Sequence, residues 1–215
     1  MKQFRYQAKK GSDLIKGILF SETEEDAAES ISGMGFSMTE MTEVMMNQRQ
    51  KENLGEMLLV RFKKGRQCRR IASNSPLAFH VVEYGGSSRL LLPLIGPLLK
   101  LEFQGHEKDF SPGGVCFSVA DPQRSFEDFK KEWGDFSLAD VLEPGSILEI
   151  KTVLTGGKGP EDFIAKVQII RVVYSAEAAV QGGERSVLVG AIFLPMNAEN
   201  RKLLTAFFET SFGKP

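Results

Sequence analysis

Cysteine, histidine and tryptophan are scarce in this chain, with two, two and one among 215 residues. Cys68 and Cys116 are too few for a disulfide framework. No spacing between them and His80 or His106 fits a zinc site. Both cysteines read as packing residues in a reducing compartment. Long apolar runs are lacking too. The longest, Leu90 to Leu99, is too short to cross a bilayer and is broken by Pro93 and Pro97. The first residues, MKQFRYQAKKG, are polar and lack the apolar centre of a secretion signal. A soluble, cytoplasmic protein without a transmembrane segment is expected. An excess of charge is also missing. Lys and Arg number 27 against 28 Asp and Glu, so the formal net charge of -1 gives no global field that draws in nucleic acid or membrane. Any anion site must come from local clustering. Signatures of catalysis are absent as well. Gly156-Gly157-Lys158-Gly159 lacks the hydroxyl residue that follows lysine in a P-loop and reads as a hairpin turn. Ser111 and Ser186 have no nucleophile-elbow setting. The chain is expected not to be an enzyme and to need no cofactor or metal.

What is present is a globular composition, 42% hydrophobic and 26% charged, with enough apolar surface to bury a core. Residues 1–44 read as a small ββαβ module. Phe4, Tyr6 and Ala8 alternate with Arg5, Gln7 and Lys9, the period of a half-buried strand. Lys10 to Asp13 is a turn, and Leu14 to Phe20 is the returning strand. Thr23 can cap a helix whose first turn, Glu24, Glu25 and Asp26, suits the positive helix end. Ala27, Ala28 and Ile31 form its apolar stripe, Gly33 and Gly35 stop it, and a last strand runs from Phe36 to Val44. Residues 45–65 read as a basic linker, with an amphipathic helix around Met57 to Phe62.

Residues 66–215 change to β character. Pro76 to Tyr84, Leu98 to His106, Val115 to Val119, Ser146 to Leu154, Phe163 to Tyr174 and Val187 to Leu194 read as six strands. A helix from Ser125 to Trp133 is inserted within residues 121–142. The last element, Ala198 to Phe208, places Leu203, Leu204, Phe207 and Phe208 on one helical face. Short strands separated by turns, closed by a helix, imply a small barrel, hence an α+β chain overall.

Two short patterns carry chemistry. Lys63, Lys64, Arg66, Arg69 and Arg70 lie within eight positions without an acidic residue. Arg66 and Arg70, written R-x-x-x-R, share a face if helical and still reach one multi-phosphate ligand if extended. A guanidinium pairs bidentately with phosphate and stacks on a purine. The second pattern is Asp109-Phe110-Ser111-Pro112-Gly113-Gly114, written D-x-S-x-x-G. It is a tight turn in which a carboxylate can accept from the Watson–Crick edge of guanine. Glycine at 114 leaves room for close approach. Each pattern alone is commonplace.

Their order, with a strand leading into the turn and Val115-Cys116-Phe117 following, resembles the PilZ family of cyclic di-GMP receptors. So do Val187 to Phe193 and the helix after them. The resemblance covers about residues 61–212. It implies a six-stranded antiparallel barrel with a C-terminal helix, an arginine arm folded over the ligand, and cyclic di-GMP as that ligand. It implies that Arg66 and Arg70 grip phosphate and stack on guanine, that Asp109 and Ser111 read the base, and that Gly114 permits the turn. Lys64, Arg69 and Gly113 would help. The run around Leu90–Leu99 and the 125–142 insertion depart from the pattern. Phe4, Tyr6, Ala8, Gly17, Ala27 and Gly35 give residues 1–44 a resemblance to the soluble N-terminal module of the inner-membrane platform proteins of type II secretion and type IV pilus machines. That likeness implies a protein partner through residues 1–60. Two functional expectations follow. One is a signalling receptor whose ligand orders the arm and repositions the module. The other is a non-enzymatic interaction component of a secretion, pilus or motility machine. A homo-oligomer is compatible with both.

Overall fold

The computed structural model describes residues 1–45, 70–85, 95–121, 127–128, 131, 138–156, 159–174 and 185–212. The linker helix around Met57 to Phe62, most of the 125–133 helix, and Trp133 therefore lie outside the described residues. The chain opens with β1 (Lys2–Lys10), β2 (Asp13–Ser21), α1 (Glu24–Gly33) and β3 (Ser37–Val44). After the linker come β4 (Ile71–Ala72), β5 (Pro76–Glu83), a short α2 (Ile95–Leu98), β6 (Phe103–Ser111) and β7 (Gly114–Asp121). Then follow α3 (Leu138–Val141), β8 (Ile147–Gly156), β9 (Gly159–Tyr174), β10 (Arg185–Phe193) and α4 (Ala198–Phe212).

Six strands close a barrel in the order β5-β6-β7-β10-β9-β8, with β8 returning to β5, and every pair is antiparallel. Inward residues alternate along each strand. Phe79, Phe103, Phe110, Phe117 and Phe163 are all buried in the barrel, where Phe79 stacks on Phe103 with centroids 5.2 Å apart. Burying a phenylalanine contributes roughly 2–3 kcal/mol, so these five rings make a large contribution to barrel stability. Helix α4 covers the barrel through Leu204 and Phe208, with Leu203 and Phe207 packed beside them, on the face read from the sequence.

One expected strand is not where the alternation put it. The alternation predicts a strand over Leu98 to His106, but α2 ends at Leu98 and β6 begins only at Phe103. Leu98 is fully buried, and Leu99 and Leu101 pack on the same core. The apolar residues thus fill the barrel core rather than a ladder. Pro97 cannot donate a ladder hydrogen bond, and its carbonyl instead accepts from the Lys100 amide at 3.1 Å. β6 starts only beyond this turn.

The module follows its sequence more closely. Thr23 caps α1, its hydroxyl accepting from the Asp26 amide at 3.1 Å. Gly33 is the last helical residue, and the left-handed turn is made by Gly35, at φ 77°. Tyr6, Ala8, Ile15 and Ile31 form a second small core beneath α1.

The module joins the barrel by extending its sheet. One edge of β9 pairs with β8 from Gly159 to Gln168 and then with β2 from Arg171 to Tyr174. Between the two, Ile169 exchanges backbone hydrogen bonds with Gly145 and Ser146, at 2.8 and 2.9 Å. Side chains reinforce this junction. Lys16 pairs with Glu143, both largely shielded from solvent, and Arg5 donates to the Gly85 carbonyl. Tyr84 donates to the Asp140 carbonyl at 2.9 Å. Burial, and then the carboxylates of Glu143 and Asp140, push the Tyr84 phenol up to about 12. It stays a neutral donor at any physiological pH.

Gly17 marks how tightly the module is packed. A Cβ there would meet the Tyr6 ring at 2.5 Å, and Tyr6 is buried under α1. Gly17→Ala is expected to cost about 2 kcal/mol by overpacking. Urea denaturation of the full chain measures it, and an unchanged midpoint would show that Tyr6 can move aside freely.

Candidate ligand-binding face

The arginine arm is held to the barrel by backbone. Directly after Arg70, Ile71 and Ala72 pair with Phe110 and Asp109 of β6. Two more bonds continue the attachment, from the Ser73 amide to the Lys108 carbonyl at 3.2 Å and from the Glu107 amide to the Ser75 carbonyl at 3.0 Å. This pairing brings residues 39 positions apart together: Arg70 Nη1 lies 3.3 Å from Asp109 Oδ2. Arg66, Lys64 and Arg69 lie outside the described residues.

Beneath the arm sits a carboxylate that the sequence did not single out. Glu107 is 2% exposed, inside the barrel wall. It accepts from Ser73 at 2.6 Å and from Thr152, whose hydroxyl also contacts the Pro76 carbonyl. A buried carboxylate without donors is very costly, so these hydroxyls are required partners, and they tie the arm to β6 and β8. The only sequence signal was a glutamate at an inward position of an alternating strand.

Asp109 faces outward because β6 contains an extra residue. Phe103, Gly105 and Glu107 point inward, which would carry Asp109 inward as well. The register shifts between Glu107 and Asp109, leaving Lys108 as a bulge. Phe110 then enters the core and Asp109 turns to the outer face. β9 has the same device. Phe163, Ala165, Val167 and Ile169 point inward, the register shifts at Ile170, and Val172 rather than Arg171 is buried.

The two bulges align a row across the outer face. Ala72 pairs with Asp109, Asp109 with Cys116, Cys116 with Gly190, Gly190 with Arg171, Arg171 with Gly17, and Gly17 with Tyr6. Directly paired residues project to one side of a sheet. Asp109, Cys116 and Arg171 therefore share a surface that runs from the arm to the module. The Cys116 thiol senses this company. Burial raises its pKa first and the Asp109 carboxylate raises it further, while Arg171, Arg70 and Lys108 lower it. One carboxylate and three cations thus lie close enough to act on this thiol.

The turn has the geometry of a two-residue hairpin, with Ser111 paired to Gly114 across Pro112 and Gly113. Ser111 Oγ lies 3.1 Å from the Gly114 carbonyl and fastens the turn. Pro112 and Gly113 are exposed. Gly114 is buried, and the space it leaves is filled by protein. A Cβ there would meet the Ala191 carbonyl oxygen at 2.2 Å and Ile192 Cα at 3.0 Å. In the described structure the missing side chain lets β10 approach β7, and the neighbouring Gly113 carbonyl accepts from the Phe193 amide at 3.2 Å. His106 pairs with Ser118 on the outer face, and His80 Nε2 lies 3.7 Å from Glu149 on a different part of the wall. Among the described residues no group of His, Cys, Asp and Glu could hold a metal ion.

No protein-family model and no curated protein matches this sequence. Solved structures with a similar fold include three proteins. The first is the PilZ domain of CeSA from a cellulose-synthesizing bacterium, at 16% identity over 64% of this chain and 91% of that one, TM-score 0.35. The second is the PilZ domain of YcgR from Escherichia coli with c-di-GMP, at 12% identity over 69% and 92%, TM-score 0.42. The third is the MrkH–c-di-GMP complex of K. pneumonia, at 12% identity over 96% and 68%, TM-score 0.36.

Because both atoms facing Gly114 belong to backbone, Gly114→Ala forces β7 away from β10. The expected loss of stability is about 3 kcal/mol, the upper end of overpacking costs. It should appear in thermal or urea unfolding of the free protein with no ligand added. A wild-type midpoint would return Gly114 to a purely ligand-facing role.

Proposed function

We propose that this protein is a non-enzymatic receptor for cyclic di-GMP that binds on the outer wall beside the Asp109–Gly114 turn. The observation that carries this reading is the meeting of two distant motifs. Arg70, at the end of the R-x-x-x-R arm, is paired with Asp109, the first residue of D-x-S-x-x-G. The pairing of β4 with β6 brings them there. PilZ structures with this dinucleotide bound are among the proteins of similar fold, in accord with the same reading.

The roles follow from chemistry. The Asp109 carboxylate accepts from the ring N–H and exocyclic amine of guanine. Arg70 and Arg66 supply charge-assisted bonds to phosphate and a planar surface for stacking. Ser111 keeps the turn that presents Asp109. In the free protein Arg70 is two-thirds exposed and its pair with Asp109 is a surface ion pair. Such a pair contributes only about 0–1 kcal/mol. Exchanging it for a phosphate on Arg70 and a guanine on Asp109 is therefore inexpensive, and each new charge-assisted bond contributes roughly 1.5–3 kcal/mol. Several of them reach micromolar affinity, which needs about -8 kcal/mol.

Ligand on this face also has a route to output. The row that begins at Asp109 ends on Gly17 and Tyr6 of the module, so occupancy of the wall bears on how residues 1–44 sit against it. An adaptor whose module addresses a protein partner fits that arrangement. β3 is the terminal strand of the described sheet, and Met38 and Met45 are exposed on and beside it.

Isothermal titration with cyclic di-GMP tests the reading. Wild type is expected to bind at micromolar concentration. Arg70→Ala and Asp109→Ala should each weaken binding about 30-fold, equivalent to about 2 kcal/mol, and Arg66→Ala should behave alike. Absence of heat from folded protein at tens of micromolar, or equal affinity in all four proteins, would sink the proposal.

A further inference from the structure

The row on the outer wall contains a cation that neither sequence motif includes. Arg171 stands three strands from Asp109, across β7 and β10. The bulge at Ile170 is what places it outside, since continued alternation would have buried it beside Val172. It makes no ion pair with any described residue, and both of its row neighbours are glycines, Gly190 and Gly17. The Tyr6 ring covers Gly17, so the bare side of Arg171 along the row is the one toward Gly190 and Asp109. Between Asp109 and Arg171 the wall offers only Cys116 and the bare backbone of Gly190, a floor as flat as a strand surface can be.

Dimensions suggest what fits this floor. Adjacent strands are about 4.8 Å apart, so three steps separate the two backbones by about 14 Å. The Arg171 side chain is long enough to lean back over Gly190 toward Asp109, which leaves room between the two for one purine. The chemistries at the two ends differ. A carboxylate accepts from the N1–H and N2–H₂ of guanine. A guanidinium donates bidentately to O6 and N7 on the adjoining edge of the same base. Adenine satisfies neither end fully, because it presents an amine where Arg171 needs an acceptor.

Building on the proposed cyclic di-GMP reading, we propose that Arg171 is a further binding residue. One guanine lies over Cys116 and Gly190, with its Watson–Crick edge on Asp109 and its O6/N7 edge on Arg171. Arg70 remains the phosphate ligand at the arm end. Base recognition is thus shared between a motif residue and a residue on β9 whose position depends on a bulge.

The test pairs variants with an altered ligand in titrations of the full chain. Cyclic di-GMP and its 7-deaza analogue, which lacks the N7 acceptor, are titrated into wild type, Arg171→Ala, Arg70→Ala and Asp109→Ala. Loss of a bidentate guanine contact should weaken cyclic di-GMP binding by Arg171→Ala about 10- to 100-fold. The 7-deaza analogue, which keeps O6, should bind wild type more weakly and should lose less affinity than cyclic di-GMP does in Arg171→Ala. It should still lose affinity in Arg70→Ala, whose contact is elsewhere. Saturating ligand should also slow alkylation of Cys116 in a Cys68→Ser background. If Arg171→Ala binds like wild type while Arg70→Ala and Asp109→Ala do not, the Arg171 inference falls and the receptor reading stands. If wild type binds neither ligand, both fall. Should Arg171→Ala fail to fold, the analogue alone decides, because equal wild-type affinity for both ligands removes the O6/N7 contact.

Discussion

Lys108 and Ile170 are each one residue too many for the strands that contain them, and the orientation of the outer wall depends on that excess. Side chains alternate with a period of two, so one inserted residue reverses every side chain beyond it. Without the insertion at Lys108, Phe110 would face water and Asp109 would face the phenylalanines of the barrel. Without the one at Ile170, Arg171 would be driven into the same core. Burying either charge unpaired would cost far more than the ladder bond a bulge forfeits. The core and the binding face are thus satisfied by the same two irregularities.

A second constraint holds the arm. Glu107 lies within the wall, and its oxygens must be met by hydroxyls. Ser73 meets this need from the arm and Thr152 from β8. The arm attaches to the barrel through buried polar bonds and a short ladder, while Arg70 at its start stays in solvent. A fixed root with an exposed tip suits the change of partners proposed for Arg70.

Much of this was legible in the sequence. Phe4, Tyr6 and Ala8 announced β1, Thr23 announced the start of α1, and the Leu203 to Phe208 stripe announced α4. Arg70 and Asp109 were named as one site, and the structure brings them together. The misplaced element was Leu98 to His106, where apolar density marked burial but not a ladder. Arg171 was missed although a trace was present: buried positions run Phe163, Ala165, Val167, Ile169 and then Val172, a change of phase that reveals the bulge. The same trace, from Gly105 and Glu107 to Phe110, lay within the turn motif's own strand. Glycine requirements were harder to read. Gly17 and Gly114 look like ordinary turn or strand glycines until the Tyr6 ring and the Ala191 carbonyl are placed against them.

The sixteen residues of β9 belong to two cores at once, with Val172 in the barrel and Val173 against the module. Among the described residues, four pairs join β2 to that strand. A module that let go would bare two unpartnered backbone edges simultaneously, one on β9 and one on β2, and bare edges seek strands. The junction therefore shields both edges at once, so that one short ladder closes the module's sheet and the barrel's together.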